Sequence, residues 1–241
     1  MATIYGILFY TATIIFIVGL TVKIRQYATT VVPLKIPTTP APTNRRGVIL
    51  RMLREVFLFQ SLFRANKWIW LFGWVFHVAL LLIMFRHLRY FTEPVWSWVA
   101  VIQPFGIYAA FAFVFGLVAL GIRRIVVERI RYITGPSDHF MILILLAIAL
   151  SGLAMKYIAH TDVIMVKAFM LGLMYFDIQP LPEDPAVLIH LGLVVLLMIV
   201  FPFSKLLHAP GVFFSPTRNQ VDNPREVRYV PGVSKPVETG E

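Results

Sequence analysis

The 241-residue sequence is 59% hydrophobic and only 14% charged, a composition that excludes a soluble domain and demands several membrane spans. It contains no cysteine, which excludes CxxCH attachment of haem, a cysteine-ligated iron–sulfur cluster and any disulfide within the chain. The net charge of +10 is, in a membrane chain, first a question of which side the cations occupy, and it needs no nucleic acid to explain it.

Residues 4–22 (IYGILFYTATIIFIVGLTV) are long enough to span, and Lys23 and Arg25 follow directly. A cleaved signal peptide carries its positive charge first and small residues last, so this segment reads as a retained first helix. Residues 24–67 begin as a linker punctuated by Pro33, Pro37, Pro40 and Pro42. They continue as an amphipathic stretch in which Ile49, Met52, Leu53, Val56, Phe57 and Phe63 oppose Arg51, Arg54 and Arg64, the pattern of a helix lying in the interface. The second span, 68–90, has all five tryptophans at its two ends, like the aromatic belts of a bilayer. A third span covers 105–122, with Pro104 expected at its first turn, where a missing N–H is harmless. Arg123, Arg124, Arg129 and Arg131 close it. The fourth, 139–158, follows a GPSD turn with Ser137 or Asp138 as the expected N-cap. Residues 163–176 are apolar but too short to span and contain Lys167, so they read as an interfacial segment. PLPEDP opens the fifth span, 185–207, and the polar, proline-bearing residues 209–241 form a tail. The expected fold is an all-α integral membrane protein: a five-transmembrane-helix bundle with interfacial helices and an extended C-terminal tail.

Five spans place the two termini on opposite sides. The segments after spans one and three and the tail, counting Lys205, hold 18 of the 22 Lys and Arg residues; the other connections hold only Arg86, Arg89, Lys156 and Lys167. Cytoplasmic loops carry the excess of Lys and Arg, so the expected orientation has the N-terminus outside and the C-terminus in the cytoplasm, across an inner (cytoplasmic) membrane.

The chemistry lies in four of the six histidines. Ionisable groups within spans are costly and mark function by default. His77 and His87 are ten residues apart on span two, about 15 Å on ideal helical rise, and His190 and His208 are eighteen apart on span five, five whole turns or about 27 Å on one face. The two helices run oppositely, so His77 and His208 share the cytoplasmic level while His87 and His190 share the outer one. Two depth-matched pairs on antiparallel helices point to two bis-histidine b-type haems, with the irons about 21 Å apart along the membrane normal on the same ideal rise. Arg86 and Arg89 bracket His87 and are candidate contacts for haem propionates. His139 and His160, at the ends of span four, read as wetted surface residues.

This pattern resembles the respiratory nitrate reductase gamma-subunit family of membrane cytochromes b. The family has five spans, an outside N-terminus, a histidine pair ten apart in the second span and one eighteen apart in the fifth; FPFSKLLH, 201–208, is similar to its sequence around the last histidine. The resemblance implies His77 with His208 as axial ligands of a cytoplasmic-side haem b, His87 with His190 as those of an outer haem b, and quinone chemistry at the outer side. Within the family, 54–77 and 213–226 most resemble the cytochrome b subunits of the membrane complexes of dissimilatory sulfur metabolism (DsrMKJOP type). That implies a cytoplasmic iron–sulfur partner related to heterodisulfide reductase, a periplasmic multihaem cytochrome c and a second quinone-interacting membrane subunit. Arg86 stands where the nitrate reductase subunits have glycine, and no lysine between 88 and 108 matches the one near their quinone site. Quinone-site residues are therefore not carried over.

The expected function is transfer of electrons between the quinone pool and the iron–sulfur partner in sulfur metabolism. The alternatives are the gamma subunit of a nitrate reductase-type quinol oxidoreductase and, from another class, a histidine-relay transporter or proton channel. The last would show internal repeats or paired broken helices, and the sequence shows neither. The charge asymmetry yields a direct test: a reporter fused at the C-terminus reports cytoplasm and one inserted within 163–176 reports the outside, whereas the reverse result overturns the orientation.

Overall fold

A computed structural model describes residues 1–31, 37–223, 227–230 and 233–236. Pro33 of the linker and Pro224 and Pro231 of the tail lie outside the described residues. Ten α-helices succeed one another among those described: α1 (Ala2–Thr29), α2 (Arg45–Leu58), α3 (Gln60–Ala65), α4 (Lys67–His87), α5 (Ser97–Val126), α6 (Glu128–Ile133), α7 (Pro136–Tyr157), α8 (Val163–Met174), α9 (Pro185–Val200) and α10 (His208–Gly211). Five of them are long and apolar enough to cross a membrane: α1, α4 with the 3₁₀ turn Leu88–Tyr90, α5, α7, and α9 with the 3₁₀ turn Phe201–Phe203. Their outward faces stay uncovered, with Ile14, Met84, Phe115, Leu143 and Ile189 all exposed, as lipid-facing residues would be.

Two helix limits differ from the expected ones for identifiable reasons. The third span starts at Ser97, well before 105, so Pro104 is inside α5 and not at its first turn. Membrane helices tolerate an interior proline where side chains re-satisfy the loosened backbone. Pro104 offers no N–H to the Ala100 carbonyl, and the turn around it is braced by side chains: Gln103 Nε2 donates to the Val99 and Arg86 carbonyls (3.2 Å each), and Arg86 Nη1 reaches across from α4 to the Gln103 carbonyl (2.5 Å). The fourth span is capped by Gly135, with Pro136 at the first helical position. Asp138 is therefore not the N-cap: it sits in the first turn, and its carboxylate accepts the Gly135 N–H (3.0 Å).

Packing divides the bundle in two. One core gathers Phe9 and Ala12 of α1, Val166, Phe169 and Met170 of α8, and Val187, Leu191 and Val195 of α9. The other gathers Phe76 and Ala79 of α4 with Ala109, Phe113 and Leu117 of α5. Helix α7 joins the halves, packing Ile142, Leu145, Leu146 and Ala149 on the second core and Met155 on the first. Close packing occurs where small residues allow it: a Cβ on Gly116 of α5 would meet Phe76 at 3.1 Å, and one on Gly19 of α1 would meet Pro202 at 2.6 Å. The extensive helix contacts are α4 with α5, α5 with α7, α7 with α9, and α1 with α9; α4 and α9 are not among them.

The segment at 163–176 is α8, capped by Asp162, whose carboxylate accepts the N–H groups of Ile164 (2.9 Å) and Met165 (3.1 Å). It does more than rest in the interface, because Phe169 is fully buried and the helix packs on the 3₁₀ turn that follows His87. An ion pair from Lys167 to Glu93 ties it further to that connection.

The residues after α10 run back along the linker. Thr38 N–H donates to the Thr217 carbonyl (2.8 Å) and Asp222 N–H to the Pro42 carbonyl (2.8 Å). Arg218 pairs with Glu55 of α2 at 2.6 Å, and Glu55 is buried. Beyond them β1 (Val227–Val230) and β2 (Val233–Pro236) pair antiparallel, Val227 opposite Pro236.

Candidate functional site

The gap between the two cores is where the histidines lie. The His77 and His208 ring centroids are 6.0 Å apart with planes crossed at 87°; those of His87 and His190 are 6.4 Å apart with planes within 13° of parallel. The pairs lie toward opposite ends of the bundle. His190 is buried, His77 and His87 are half-buried, and His208 is exposed. His139 and His160 lie exposed at the two ends of α7.

The geometry behind the second pair differs from the expected one. His190 and His208 are not on one straight helix: α9 ends at Val200, Pro202 falls in a 3₁₀ turn, Ser204 is extended (φ −109°, ψ 170°), and His208 opens α10. The ideal rise over five turns is thus not realised, and the separation of about 21 Å that rested on it does not apply. A proline in the last turn, followed by a serine that caps the next one through Leu206 N–H (3.2 Å), is the local cause.

All four rings are oriented by the same device. His77 Nδ1 lies 2.7 Å from the Gly73 carbonyl, His87 Nδ1 2.7 Å from Ile83, His190 Nδ1 3.1 Å from Ile148, and His208 Nδ1 2.9 Å from Lys205. A carbonyl only accepts, so each Nδ1 bears a proton, the tautomer that in a neutral imidazole leaves the Nε2 lone pair for a ligand. Around His190, Ser151 Oγ donates to the same Ile148 carbonyl (3.0 Å) and lies 3.0 Å from Nδ1, fixing the ring further. A Cβ on the neighbouring Gly152 would lie 3.3 Å from His190 Cε1, so the glycine is what admits the ring.

Metal–imidazole bonds of about 2 Å, with the ring nitrogen about 1.1 Å from the ring centre, set two in-line axial imidazoles with centroids about 6.2 Å apart. The two observed separations bracket that value. Among the described residues no group of three or more His, Cys, Asp or Glu is placed to hold a metal ion. Two neutral imidazoles with a preset tautomer therefore fit a metal whose equatorial positions are filled by a macrocycle better than a bare ion, which wants more protein ligands.

Arg86 and Arg89 are both drawn to α5. Besides its bond to the Gln103 carbonyl, Arg86 packs against Gly106, where a Cβ would meet its side chain at 2.8 Å; Arg89 Nη1 reaches Gln103 Oε1 at 3.3 Å. Each guanidinium uses one of five donors there, leaving others for a ligand. At the opposite end a cavity of about 640 Å³ opens against His208, bounded also by Tyr27, Ser137, Asp138, Met141 and Lys205. Asp138 is buried there, paired with Lys205 at 2.7 Å and near Arg124 at 3.9 Å.

Sequence reasoning missed Ser151, Gly152 and Gln103. The signal for the first two was a small polar pair in the middle of an apolar run, a mark of close approach between membrane helices.

A model of the family described as "Nitrate reductase gamma subunit" matches residues 47–228. The chain belongs to the nitrate reductase gamma-subunit family. It is a multi-pass membrane protein of that family, and the match takes in all four paired histidines. Two curated relatives are similar over most of their length, each named "Hdr-like menaquinol oxidoreductase cytochrome b-like subunit". That of Archaeoglobus fulgidus is 36% identical over 276 aligned positions, covering 95% of this chain and 83% of the relative. That of Archaeoglobus profundus is 35% identical over 269, covering 90% and 78%.

Proposed function

We propose that this family member is a di-haem b subunit that passes electrons between membrane menaquinol and a cytoplasmic Hdr-like iron–sulfur partner. The observation that carries the proposal is the pair of imidazoles toward each end of the bundle, with centroids spaced for a single metal and each Nδ1 held by a main-chain carbonyl. The relatives' names, cytochrome b-like and menaquinol oxidoreductase, support it. Bound haem would supply one-electron chemistry; the chain's part is to ligate, orient and exclude water. In this proposal His77 and His208 hold the haem on the cytoplasmic side and His87 and His190 the outer one. The spare donors of Arg86 and Arg89 meet propionates at the outer end, and α8, packed over the turn after His87, roofs the place where quinol is oxidised and its protons leave.

The charge asymmetry supports a cytoplasmic docking face for the iron–sulfur partner. Resemblance of 54–77 and 213–226 to subunits of sulfur-metabolising complexes supports a terminal reaction of sulfur chemistry on that partner. It also supports the further membrane and periplasmic cytochrome c subunits in the assembly. A histidine-relay channel is less well supported, because such a relay has no need for four imidazoles paired at one metal-sized separation.

Two measurements test the proposal. The purified protein gives a b-type reduced-minus-oxidised spectrum with two haems per chain; His77→Ala and His208→Ala each lose the same haem, and His87→Ala and His190→Ala each lose the other. A common haem lost in His77 and His190 variants would contradict the pairing. A quinone-analogue inhibitor shifts the spectrum of the haem that His87→Ala removes and leaves the His77 haem unchanged; perturbation of the inner haem alone moves quinol oxidation to the cytoplasmic end.

A further inference from the structure

Between α2 and α3 the chain turns on Phe59, a phenylalanine with φ 49° and ψ 46°. A non-glycine residue in the left-handed region is strained and persists only where its surroundings over-determine it. The surroundings here do so from three directions. From α4, Trp70 Nε1 donates to the Leu58 carbonyl (2.7 Å) and Trp74 Nε1 to that of Phe57 (3.1 Å), tying down the last carbonyls of α2. From α2, the buried Glu55 carboxylate accepts both the Ser61 N–H (3.1 Å) and the Ser61 hydroxyl, bridging the turn. From the C-terminal segment, Arg218 reaches Glu55 (2.6 Å) and Ser61 Oγ (3.0 Å).

This rigid corner delivers the Phe59 ring to His77. The two rings meet edge to face with centroids 4.9 Å apart and planes at 84°. Phe76 meets the same imidazole at 4.8 Å and 89°. The Nδ1 bond to Gly73 leaves the ring a rotation about that anchor, and the two phenylalanines remove it. What they fix is the crossed, 87° arrangement of His77 and His208, in contrast to the near-parallel outer pair, whose rings meet Tyr90, Ser151 and Gly152 instead.

We propose that Phe59 is a positioning residue for His77: the strained corner, braced by Glu55, Ser61 and Arg218, sets the plane of one axial ligand and excludes water from it. The inference rests on the two-haem reading above. It makes the inner site sensitive to the segment around Arg218, and so to whatever binds there, while leaving the outer site alone. Ligand-plane angle and solvent exposure are both levers on a haem iron's electronic structure and potential.

The test is electron paramagnetic resonance and redox titration of the oxidised full-length protein carrying Phe59→Ala, Phe59→Tyr or Arg218→Ala. Crossed imidazole planes give a more anisotropic low-spin ferric signal than parallel ones. In Phe59→Ala the more anisotropic signal, assigned as the one missing in His77→Ala, loses anisotropy and its midpoint potential falls as water gains access. Phe59→Tyr restores both, and Arg218→Ala shifts them in the same direction by less. The outer haem's unchanged signal in each sample shows that the bundle has folded. An inner signal in Phe59→Ala that is identical to wild type in shape and potential overturns the inference with the two-haem reading intact. Wild-type protein lacking two low-spin signals overturns that reading instead.

Discussion

The structure depends on a gap. Water drives no association between helices inside a bilayer, so spans that approach must either pack small residues closely or be held by something placed between them. Here α4 is committed to α5 and α9 to α1 and α8, and the two cores so formed meet chiefly through α7. Between α4 on one side and α9 and the α10 turn on the other there are four imidazoles in two pairs. An imidazole N–H left bare in such a place costs about 1–3 kcal/mol, and each ring avoids that by giving its Nδ1 proton to a main-chain carbonyl. What remains at each ring is one lone pair.

The two ends of that gap are built for different tasks. At the His87 and His190 end the ring planes are near-parallel, Ser151 and Gly152 seat the buried ring, and α8 covers the turn beyond. At the His77 and His208 end the planes are crossed, His208 is exposed, and the strained Phe59 corner connects the site to the C-terminal segment. An end that is open and tied to a polar segment suits exchange with a soluble partner, whereas an end roofed by α8 suits a lipid-soluble donor; on the proposed orientation the open end faces the cytoplasm. The asymmetry follows from how α9 stops. Because Pro202 and Ser204 end the helix, His208 is carried on a separate turn, where the Lys205 carbonyl orients its ring.

The number of spans, the short α8 and the four histidines were legible in the sequence, because each rests on local hydropathy or on a residue type that is costly in a membrane. The break in the fifth helix was not, because the eighteen-residue histidine spacing matches five whole turns and so outweighed Pro202 and Ser204, which mark the break. Nor was the start of α5. Pro104 reads locally as a helix beginning, whereas the bonds of Arg86 and Gln103 between α4 and α5 that brace the turn around it join residues seventeen apart. The Glu55–Arg218 pair joins residues far apart in the chain, with nothing in either segment's pattern to signal it. Arg51 and Arg54 made the polar face of α2 look wholly solvated, yet its one carboxylate is buried.

The central claim is that two separate cofactors are held, one per histidine pair: one between α4 and α9, the other between α4 and α10. An experimental density map of the protein purified from membranes with its cofactors tests it most directly. The account predicts two planar densities, one between His77 and His208 and one between His87 and His190, each with continuous density to both imidazoles. A single density, or one joining His77 to His190, would contradict it.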